Sequence, residues 1–410
     1  MPGRSTSYSV RGLTTPRPGV LAARRPRSLL ARAFARNSPL RHMDWLLIAV
    51  VLGLTAIGTL LVWSATEPGL VAAGQDGHTY LKKQLLNAVI GLIMMFGVSL
   101  VDSRQLRTWT PVVYAGTVLS LMAVLTPLGS TVNGARAWFS LPGGFQVEPS
   151  EFAKVALILT IAMVFSSRVQ ARPDAAPRVR SLGLALACAA PLIGLVVIEP
   201  ALGVALVLVV VTGTMIVLSG LRLRVIAVLA AAVAVAISAA GGLHLLKDYQ
   251  LTRFTSFLHP SADLGGAGYN AAQAKIAVGS GGMFGQGLFH GQLVAGNFVP
   301  SQQTDFIFTV AGEELGFVGT IVIVFLLGVV IIRALRIATR ADDLFGLLVA
   351  SGVAIWFAFQ SFVNIGMTIG IMPITGLPLP FVSYGGSAIF ADMVAIGLLQ
   401  SVHRRHTVFD

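Results

Sequence analysis

Long apolar stretches, each followed by a short polar segment, make up most of this chain. A helix needs about 20 apolar residues to cross a bilayer core, and lipid offers no water to pair an exposed backbone. The pattern therefore predicts an all-α polytopic membrane protein with about ten transmembrane helices. The predicted spans are residues 44–65, 84–101, 108–128, 150–166, 181–198, 200–219, 223–245, 306–332, 344–369 and 384–402.

Basic residues are unevenly shared between the two sides of the predicted spans. Ten spans place both termini on one side, which carries 22 of the 29 Lys and Arg residues, while the other side carries 7. Because Lys and Arg accumulate in cytoplasmic loops, both termini are predicted to be cytoplasmic. Apolar residues form 55% of the chain and charged residues 11%, which excludes an ordinary soluble domain. The net charge of +12 then indicates anionic membrane lipid, and no nucleic acid, as a partner.

Composition divides the chain into three regions. Residues 1–42 are rich in Arg, Pro, Ser and Ala and contain no acid, which predicts a disordered, basic cytoplasmic tail. Residues 43–403 are predicted to form the ten-helix membrane domain, and residues 404–410 a cytoplasmic C-terminal tail. Within the domain, residues 246–305 are predicted to form a large loop between spans 7 and 8 on the outer side. This loop gathers charges and glycines that the spans lack, so we expect chemistry there.

A second outer segment, residues 129–150, carries charged and aromatic residues at the membrane edge. Pro149 predicts a helix start, and Glu151 and Lys154 then share one face of that helix. A carboxylate and an ammonium at the edge of lipid are costly unless they are paired or functional. A structural ion pair and a role in substrate binding both remain open. Arg136, close to Trp138, is either an interfacial anchor or an anion site.

The large loop contains an isolated acid, a predicted short helix and many glycines. Asp263 precedes glycines, a position typical of a turn aspartate. Residues 270–278 lack Gly and Pro and predict a short helix that carries Gln273 and Lys275. The glycines of residues 279–291 fit no Walker or dinucleotide fingerprint. The loop therefore resembles no common nucleotide site.

Three acids fall inside predicted spans: Glu313, Glu314 and Asp392. An ionisable residue within a span is a candidate for function by default. Hydrogen bonding between helices is the interpretation that we favour for all three.

Eight motifs follow one another within residues 44–403. They are Asn-Gly-Ala-Arg-Ala-Trp at 133–138, Pro-Ser-Glu-Phe-Ala-Lys at 149–154, Gly-Gly-Ala-Gly-Tyr at 265–269, Ala-Lys-Ile-Ala-Val-Gly-Ser-Gly-Gly at 274–282, Thr-Asp-Phe-Ile-Phe at 304–308, Glu-Glu-Leu-Gly at 313–316, Met-Pro-Ile-Thr-Gly-Leu-Pro-Leu-Pro at 372–380 and Ser-Tyr-Gly-Gly-Ser at 383–387. In this order they resemble the motifs of the SEDS family of bacterial shape, elongation, division and sporulation proteins. Within the family, Thr-Gly-Leu-Pro at 375–378 resembles the elongation member RodA more than the division member FtsW.

The resemblance implies a peptidoglycan glycosyltransferase of the bacterial cytoplasmic membrane that serves cell elongation and shape. It would polymerise lipid II into β-1,4-linked glycan with inversion, beside a class B penicillin-binding protein and the elongation machinery. The family's essential aspartate matches Asp263, which becomes the expected general base. The leaving undecaprenyl diphosphate needs cations, and a Mg or Mn ion remains open. The expected substrate-binding residues are Arg136, Trp138, Glu151, Lys154, Tyr269, Gln273, Lys275 and Ser383.

Two departures from the family pattern and two rival functions complete the prediction. Residues 199–203 read Glu-Pro-Ala-Leu-Gly where the family commonly has Gln-Pro-Asp-Leu-Gly, and Leu264 stands where Pro is frequent. Many spans with buried charges also suit a lipid II flippase or another transporter. A non-catalytic scaffold that activates a penicillin-binding protein is the third function. The notable residues cluster on one outer face, which favours surface chemistry.

Overall fold

Helices fill most of the computed structural model of this protein. The structure describes residues 42–132, 135–142, 145–171, 179–221, 227 and 266–409. Among these described residues, nine long helices stand where spans 1 to 6 and 8 to 10 were predicted, and two short ones precede span 8. The helices are α1 (Trp45–Ala72), α2 (Thr79–Ser99), α3 (Ser103–Val124), α4 (Pro149–Ala171), α5 (Val179–Ile198), α6 (Leu202–Leu218), α7 (Ala267–Ser280), α8 (Gln292–Ala295), α9 (Ile307–Thr339), α10 (Leu344–Ile369) and α11 (Gly386–Phe409).

The lengths and apolarity of these helices suit a membrane. Seven of the described helices are long and apolar enough to cross one, and α6 is a shorter apolar helix. The predicted polytopic helical membrane fold is thereby confirmed. Nearly all of the seventh predicted span, 223–245, and of the predicted tail, 1–42, lies outside the described residues, as does Asp263.

Polar residues set several helix ends beyond the apolar runs that predicted them. The Asp44 side chain caps α1 by accepting the Leu47 N–H at 3.1 Å. α2 begins before residue 84 because Asp76 organises its start: the carboxylate binds Lys82 Nζ at 2.6 Å, and the backbone C=O accepts the Thr79 N–H. α11 continues to Phe409, past residue 402, where the tenth span was predicted to end. Hydropathy therefore locates the spans but not their polar first and last turns.

A small antiparallel sheet occupies part of the segment that was predicted to be an outer loop. Its order is β1 (Ser130–Val132), β2 (Ala135–Leu141) and β3 (Phe145–Val147). The dipeptide at 133–134, between β1 and β2, is Asn-Gly, which is typical of two-residue hairpins. The all-α membrane fold therefore includes one small local sheet, for which the sequence did carry a signal.

α9 is a broken helix and not one continuous span. Its Gly316 has φ of 66°, in the left-handed region that favours glycine. A break frees backbone groups that lipid cannot pair, and the backbone of residues 282–287 pairs with them on both sides. The four hydrogen bonds run, donor first, from Gln286 to Glu313, from Gly287 to Glu314, from Phe317 to Gly282 and from Val318 to Met283. These hydrogen bonds hold residues 282–287 of the large loop against α9.

The two ends of the helix bundle are formed by different segments of the chain. One end, called the sheet end, carries the sheet, residues 281–306 and the segment 370–385 between α10 and α11. The other, called the tail end, carries the start of α1 and the ends of α9 and α11. The segment 370–385 passes so close to α1 that any side chain at Gly58 would collide with the Val382 backbone. This close packing holds the segment 370–385 against α1.

Candidate functional site

A buried ion pair lies beneath the sheet end. Lys154 Nζ donates to Glu151 Oε2 at 2.7 Å, and the Lys154 side chain is fully buried. The ammonium also donates to Gln360 Oε1 at 2.9 Å and lies 4.5 Å from the ring centre of Trp356. α4 begins at Pro149 as predicted, which puts both charges on one face of its first turns. Side chains of α4 and α10 therefore hold the ammonium away from the surface.

Two amide side chains of α10 hold the segment 370–385 above this pair. Gln360 Nε2 donates to the Pro378 C=O at 2.8 Å. Asn364 Nδ2 donates to the C=O groups of Leu377 and Asp305, at 2.6 and 2.7 Å. Neither amide was among the predicted site residues. Their presence in an otherwise apolar span was the available signal, because lipid leaves a polar group there no other partner.

Ser383 joins the segment 370–385 to the end of the large loop. Its Oγ donates to the Thr304 C=O at 2.6 Å and accepts the Leu379 N–H at 2.7 Å. The neighbouring Tyr384 donates its N–H to the Gln303 C=O at 2.9 Å. Ser383 is buried, so it shapes the site through hydrogen bonds within the protein.

Two further carboxyl groups lie near the ion pair at the sheet end. Burial and then the negative charge of Glu151 raise the pKa of Glu148 to about 7, although Ser150 donates to Glu148 at 2.7 Å. Burial and then the charge of Glu148 raise the pKa of Glu199 to about 8. Glu199 is fully buried, and neither of its oxygens has a hydrogen-bond partner among the described residues. Near pH 7 Glu199 is therefore largely protonated and able to donate a hydrogen bond.

α7 carries three predicted site residues, and it confirms the helix predicted over residues 270–278. It packs against α9 and α10. Tyr269 is exposed and Gln273 is half-buried, one turn apart on the same face. Lys275 is exposed, and its methylene groups lie over Gly370 at the end of α10. The helix thus brings an ammonium to the rim of the sheet end.

Strand β2 carries the remaining two predicted residues. Arg136 is exposed and Trp138 is half-buried. The Trp138 C=O accepts the Ser130 hydroxyl at 2.9 Å, which joins β2 to β1. Within the described part of the chain, no hydrogen bond or ion pair joins Arg136 to Glu151 or Lys154. The guanidinium is thus presented to solvent and not to the buried pair.

An apolar groove of about 460 Å³ descends from the sheet between α2, α3, α4 and α11. Phe139 and Val147 of the sheet line its upper end, and Val98 and Leu106 line it near the tail end. Nearly all of its lining is apolar. The groove therefore offers an apolar chain a path along most of the membrane.

The acids that fall inside predicted spans accept hydrogen bonds that hold loops in place. Glu313, Glu314 and Asp392 are all buried and accept hydrogen bonds. The donors are the Leu293 and Val294 N–H groups to Glu313 at 2.7 and 3.1 Å, Ser64 Oγ and the Phe289 N–H to Glu314 at 2.5 and 3.2 Å, and the Phe381 N–H to Asp392 at 3.2 Å. These bonds agree with the structural interpretation, although most of the partners are loop amides and not other helices.

The expected general base, Asp263, lies outside the described residues. It is close in sequence to the start of α7 at Ala267. For a metal, no group of three or more His, Cys, Asp or Glu residues is suitably placed in the described part of the chain. The described part of the sheet end therefore offers two exposed cations, a buried ion pair and an apolar groove.

Comparison with known proteins settles the family. The family model of the cell cycle proteins FtsW, RodA and SpoVE matches residues 44–408. The chain belongs to this family. The SEDS resemblance of the motifs is thereby confirmed. Because the family model covers all three members together, the closer likeness of residues 375–378 to RodA stays a prediction.

Relatives and solved structures of the FtsW, RodA and SpoVE family match nearly the whole membrane domain. The peptidoglycan glycosyltransferase MrdB of Escherichia coli K12 is 36% identical, over 88% of this chain and 94% of MrdB. A solved chain from a peptidoglycan synthase complex that coordinates polymerization and crosslinking has a TM-score of 0.73 at 31% identity, covering 89% of this chain and 98% of that one. The rod shape determining protein RodA of Thermus thermophilus has a TM-score of 0.64 at 29% identity, covering 89% and 97%.

Proposed function

We propose that this peptidoglycan glycosyltransferase polymerises lipid II into β-1,4-linked glycan, with Asp263 as the general base. The observation that carries the proposal is the family match over residues 44–408, together with relatives that are named peptidoglycan glycosyltransferases. The polar groups at the sheet end and the apolar groove below them suit a substrate with a sugar headgroup and a lipid tail. A soluble sugar would need no such groove.

The proposed reaction is an inverting displacement. The 4-hydroxyl of the acceptor sugar attacks the anomeric carbon of the donor sugar, and the bond from that carbon to the diphosphate oxygen breaks. The Asp263 carboxylate takes the hydroxyl proton, so undecaprenyl diphosphate leaves with the bonding electron pair. An α-linked donor thereby gives a β-linked product.

The leaving diphosphate needs positive charge at the rim of the site. Arg136 and Lys275 are exposed there, so we propose that they receive it, with Arg136 able to form paired hydrogen bonds to phosphate oxygens. Lys154 is fully buried against Glu151. We propose that this pair, through Gln360, positions the segment 370–385 beneath the substrate. Trp138, Tyr269 and Gln273 would contact the sugars.

The lipid tail is assigned to the groove between α2, α3, α4 and α11. Its volume of about 460 Å³ and its apolar lining suit part of a polyprenyl chain. The upper end of the groove lies at the sheet, where Phe139 and Val147 line it. A headgroup at the sheet end and a tail in the groove are therefore compatible with one bound molecule.

We also propose the orientation and the partner. With both termini cytoplasmic, the sheet end faces outward, where lipid II is polymerised. The similar chain from a synthase complex works beside a crosslinking activity. A class B penicillin-binding protein within the elongation machinery is accordingly the proposed partner of this chain.

The test is glycan polymerisation from purified lipid II by the protein and its partner synthase, with transpeptidation blocked. Asp263→Ala is expected to lower the rate at least about 100-fold, the usual contribution of a general base. Asp248→Ala, which removes the nearest other acid of the loop, serves as the matched control and should retain activity. Repeating the wild-type reaction with a chelator tests whether a Mg or Mn ion takes part, the question that the sequence left open.

Each outcome of this test separates the candidate functions. Equal glycan output from folded Asp263→Ala and wild type would remove Asp263 from the chemistry. Glycan made by the partner alone and increased by adding this chain would support the scaffold, and no glycan from either wild type or the variant would support the flippase.

A further inference from the structure

A small basic cavity at the tail end is unrelated to the groups gathered at the sheet end. It has a volume of about 80 Å³ and lies where the start of α1 meets the ends of α9 and α11. Its lining residues are Asp44, Arg333, Arg336, Ile337, Arg340 and His403. Three arginines against one carboxylate leave this lining positively charged.

One arginine of the cavity is already used inside the protein. Arg333 Nε and Nη2 both bind Asp44 Oδ2, at 2.7 and 2.6 Å, and Asp44 is buried. Gln400 fixes the same corner, since its Oε1 accepts the Asp44 N–H at 2.8 Å. Asp44 and Arg333 therefore form a neutral ion pair in the wall of the cavity.

The other two arginines are exposed and follow Arg333 on the same face of α9. Arg336 and Arg340 are one and about two turns further along, at the helix end. In the described part of the chain, neither forms an ion pair with a carboxylate within 4.0 Å. Guanidinium groups placed side by side match the oxygens of a phosphate group. A cavity of this size and charge suits one phosphate.

The depth of the cavity in the membrane indicates where that phosphate comes from. Trp45, directly after Asp44, is 54% exposed, and tryptophan favours the headgroup layer. Ile332 and Leu335, one turn before the exposed arginines, are 51% and 48% exposed apolar side chains. Acyl chains can lie against these two residues while a phosphate reaches Arg336 and Arg340.

We propose that this tail-end cavity binds the headgroup phosphate of an anionic phospholipid through Arg336 and Arg340, with its acyl chains along α9. The site is distinct from the lipid II site, which needs a sugar-binding surface and lies at the opposite end of the bundle. Binding at this site would anchor the membrane domain to anionic lipid in the leaflet at the tail end.

The test measures binding of phosphatidylglycerol to the purified full chain in detergent, by native mass spectrometry, with phosphatidylcholine as the neutral lipid. Arg336→Gln with Arg340→Gln is expected to weaken phosphatidylglycerol binding about 25-fold, since each basic residue near a charged lipid surface contributes about fivefold. The matched control is Arg104→Gln with Arg180→Gln, which removes two exposed arginines at the same end of the bundle. That control should lose about threefold or less.

Three results would overturn the proposal. Equal binding by the folded double variant and wild type would exclude these arginines as ligands. An equal loss in the control would show attraction to charge in general and no built site. Displacement of the lipid by millimolar inorganic phosphate would assign the cavity to free phosphate. If the double variant does not fold, Arg336→Gln and Arg340→Gln alone, each expected to lose about fivefold, decide in the same way.

Discussion

Removal of Lys154 should expose how much the sheet end depends on its buried ion pair. In Lys154→Met the carboxylate of Glu151 stays in a site where both side chains are at most 3% exposed. The variant also loses the hydrogen bond to Gln360 and the contact with the Trp356 ring. The remaining carboxylate must then stay charged without its partner or take up a proton.

The expected cost follows from this burial. Breaking a buried pair by removing one partner costs about 3–5 kcal/mol, whereas replacing both partners by neutral groups of similar volume is often close to neutral. Lys154→Met should therefore lower the melting temperature by on the order of 10 °C. Glu151→Gln combined with Lys154→Met should recover most of that loss, because no charge is left buried.

Thermal unfolding in one neutral detergent is the assay, with Lys275→Met as a control that removes an exposed lysine from the same end of the protein. Melting of Lys154→Met at the wild-type temperature would refute the reasoning, as would a double variant no more stable than the single one. Glycan polymerisation by the double variant adds a second readout. Activity within about tenfold of wild type supports a positioning role, and a folded but inactive protein supports direct substrate binding by the pair.

Three further changes test other parts of the sheet end. Glu199 has a folded pKa of about 8, above the ordinary value of 4.5. Between these two pH values the folded chain keeps a proton that the unfolded chain releases, so the free energy of unfolding should fall as the pH rises. Glu199→Gln should reduce this loss, which melting at pH 6 and pH 9 measures; an unchanged difference between the two temperatures would contradict the assignment. Glu313→Gln should destabilise the loop around α8 by about 2 kcal/mol, because the carboxylate accepts two backbone N–H groups there, and faster proteolysis within residues 282–298 than in wild type would show it. Gly316→Ala should lower the yield of folded protein sharply, because φ is 66° there and the backbone of residues 284–285 occupies the space that a methyl group would need. A normal gel-filtration profile of the variant would argue against the break in α9.

Hydropathy predicted the spans well because lipid imposes one requirement on every one of them. The apolar run before Glu199 and the run after Pro200 became α5 and α6 with almost no loop between them, as their lengths required. The sheet at residues 130–147 was not predicted, because its short strands lie outside the membrane and its pairing depends on local turn chemistry. The Asn-Gly dipeptide at 133–134 indicates a hairpin only where the flanking residues are already expected to form strands.

The site was predicted less completely than the fold. Motifs pointed to Glu151, Lys154 and the loop residues, since these carry charge at the edge of lipid. The motifs did not show that Lys154 would be covered by Gln360, because that contact joins residues 206 positions apart in the sequence. Periodicity describes one helix at a time, and a site between helices depends on how they pack.

The break in α9 changes the depth at which its acids lie. As a single helix of 33 residues it would be about 50 Å long, well beyond a hydrocarbon core of about 30 Å. Residues 317–339 alone rise about 34 Å, enough to cross by themselves. Exposed apolar side chains begin at Phe317, whereas Glu313 and Glu314 are buried before the break. The two acids therefore belong to a polar layer above the hydrocarbon, and a hydropathy profile that merges both parts of α9 assigns them to lipid.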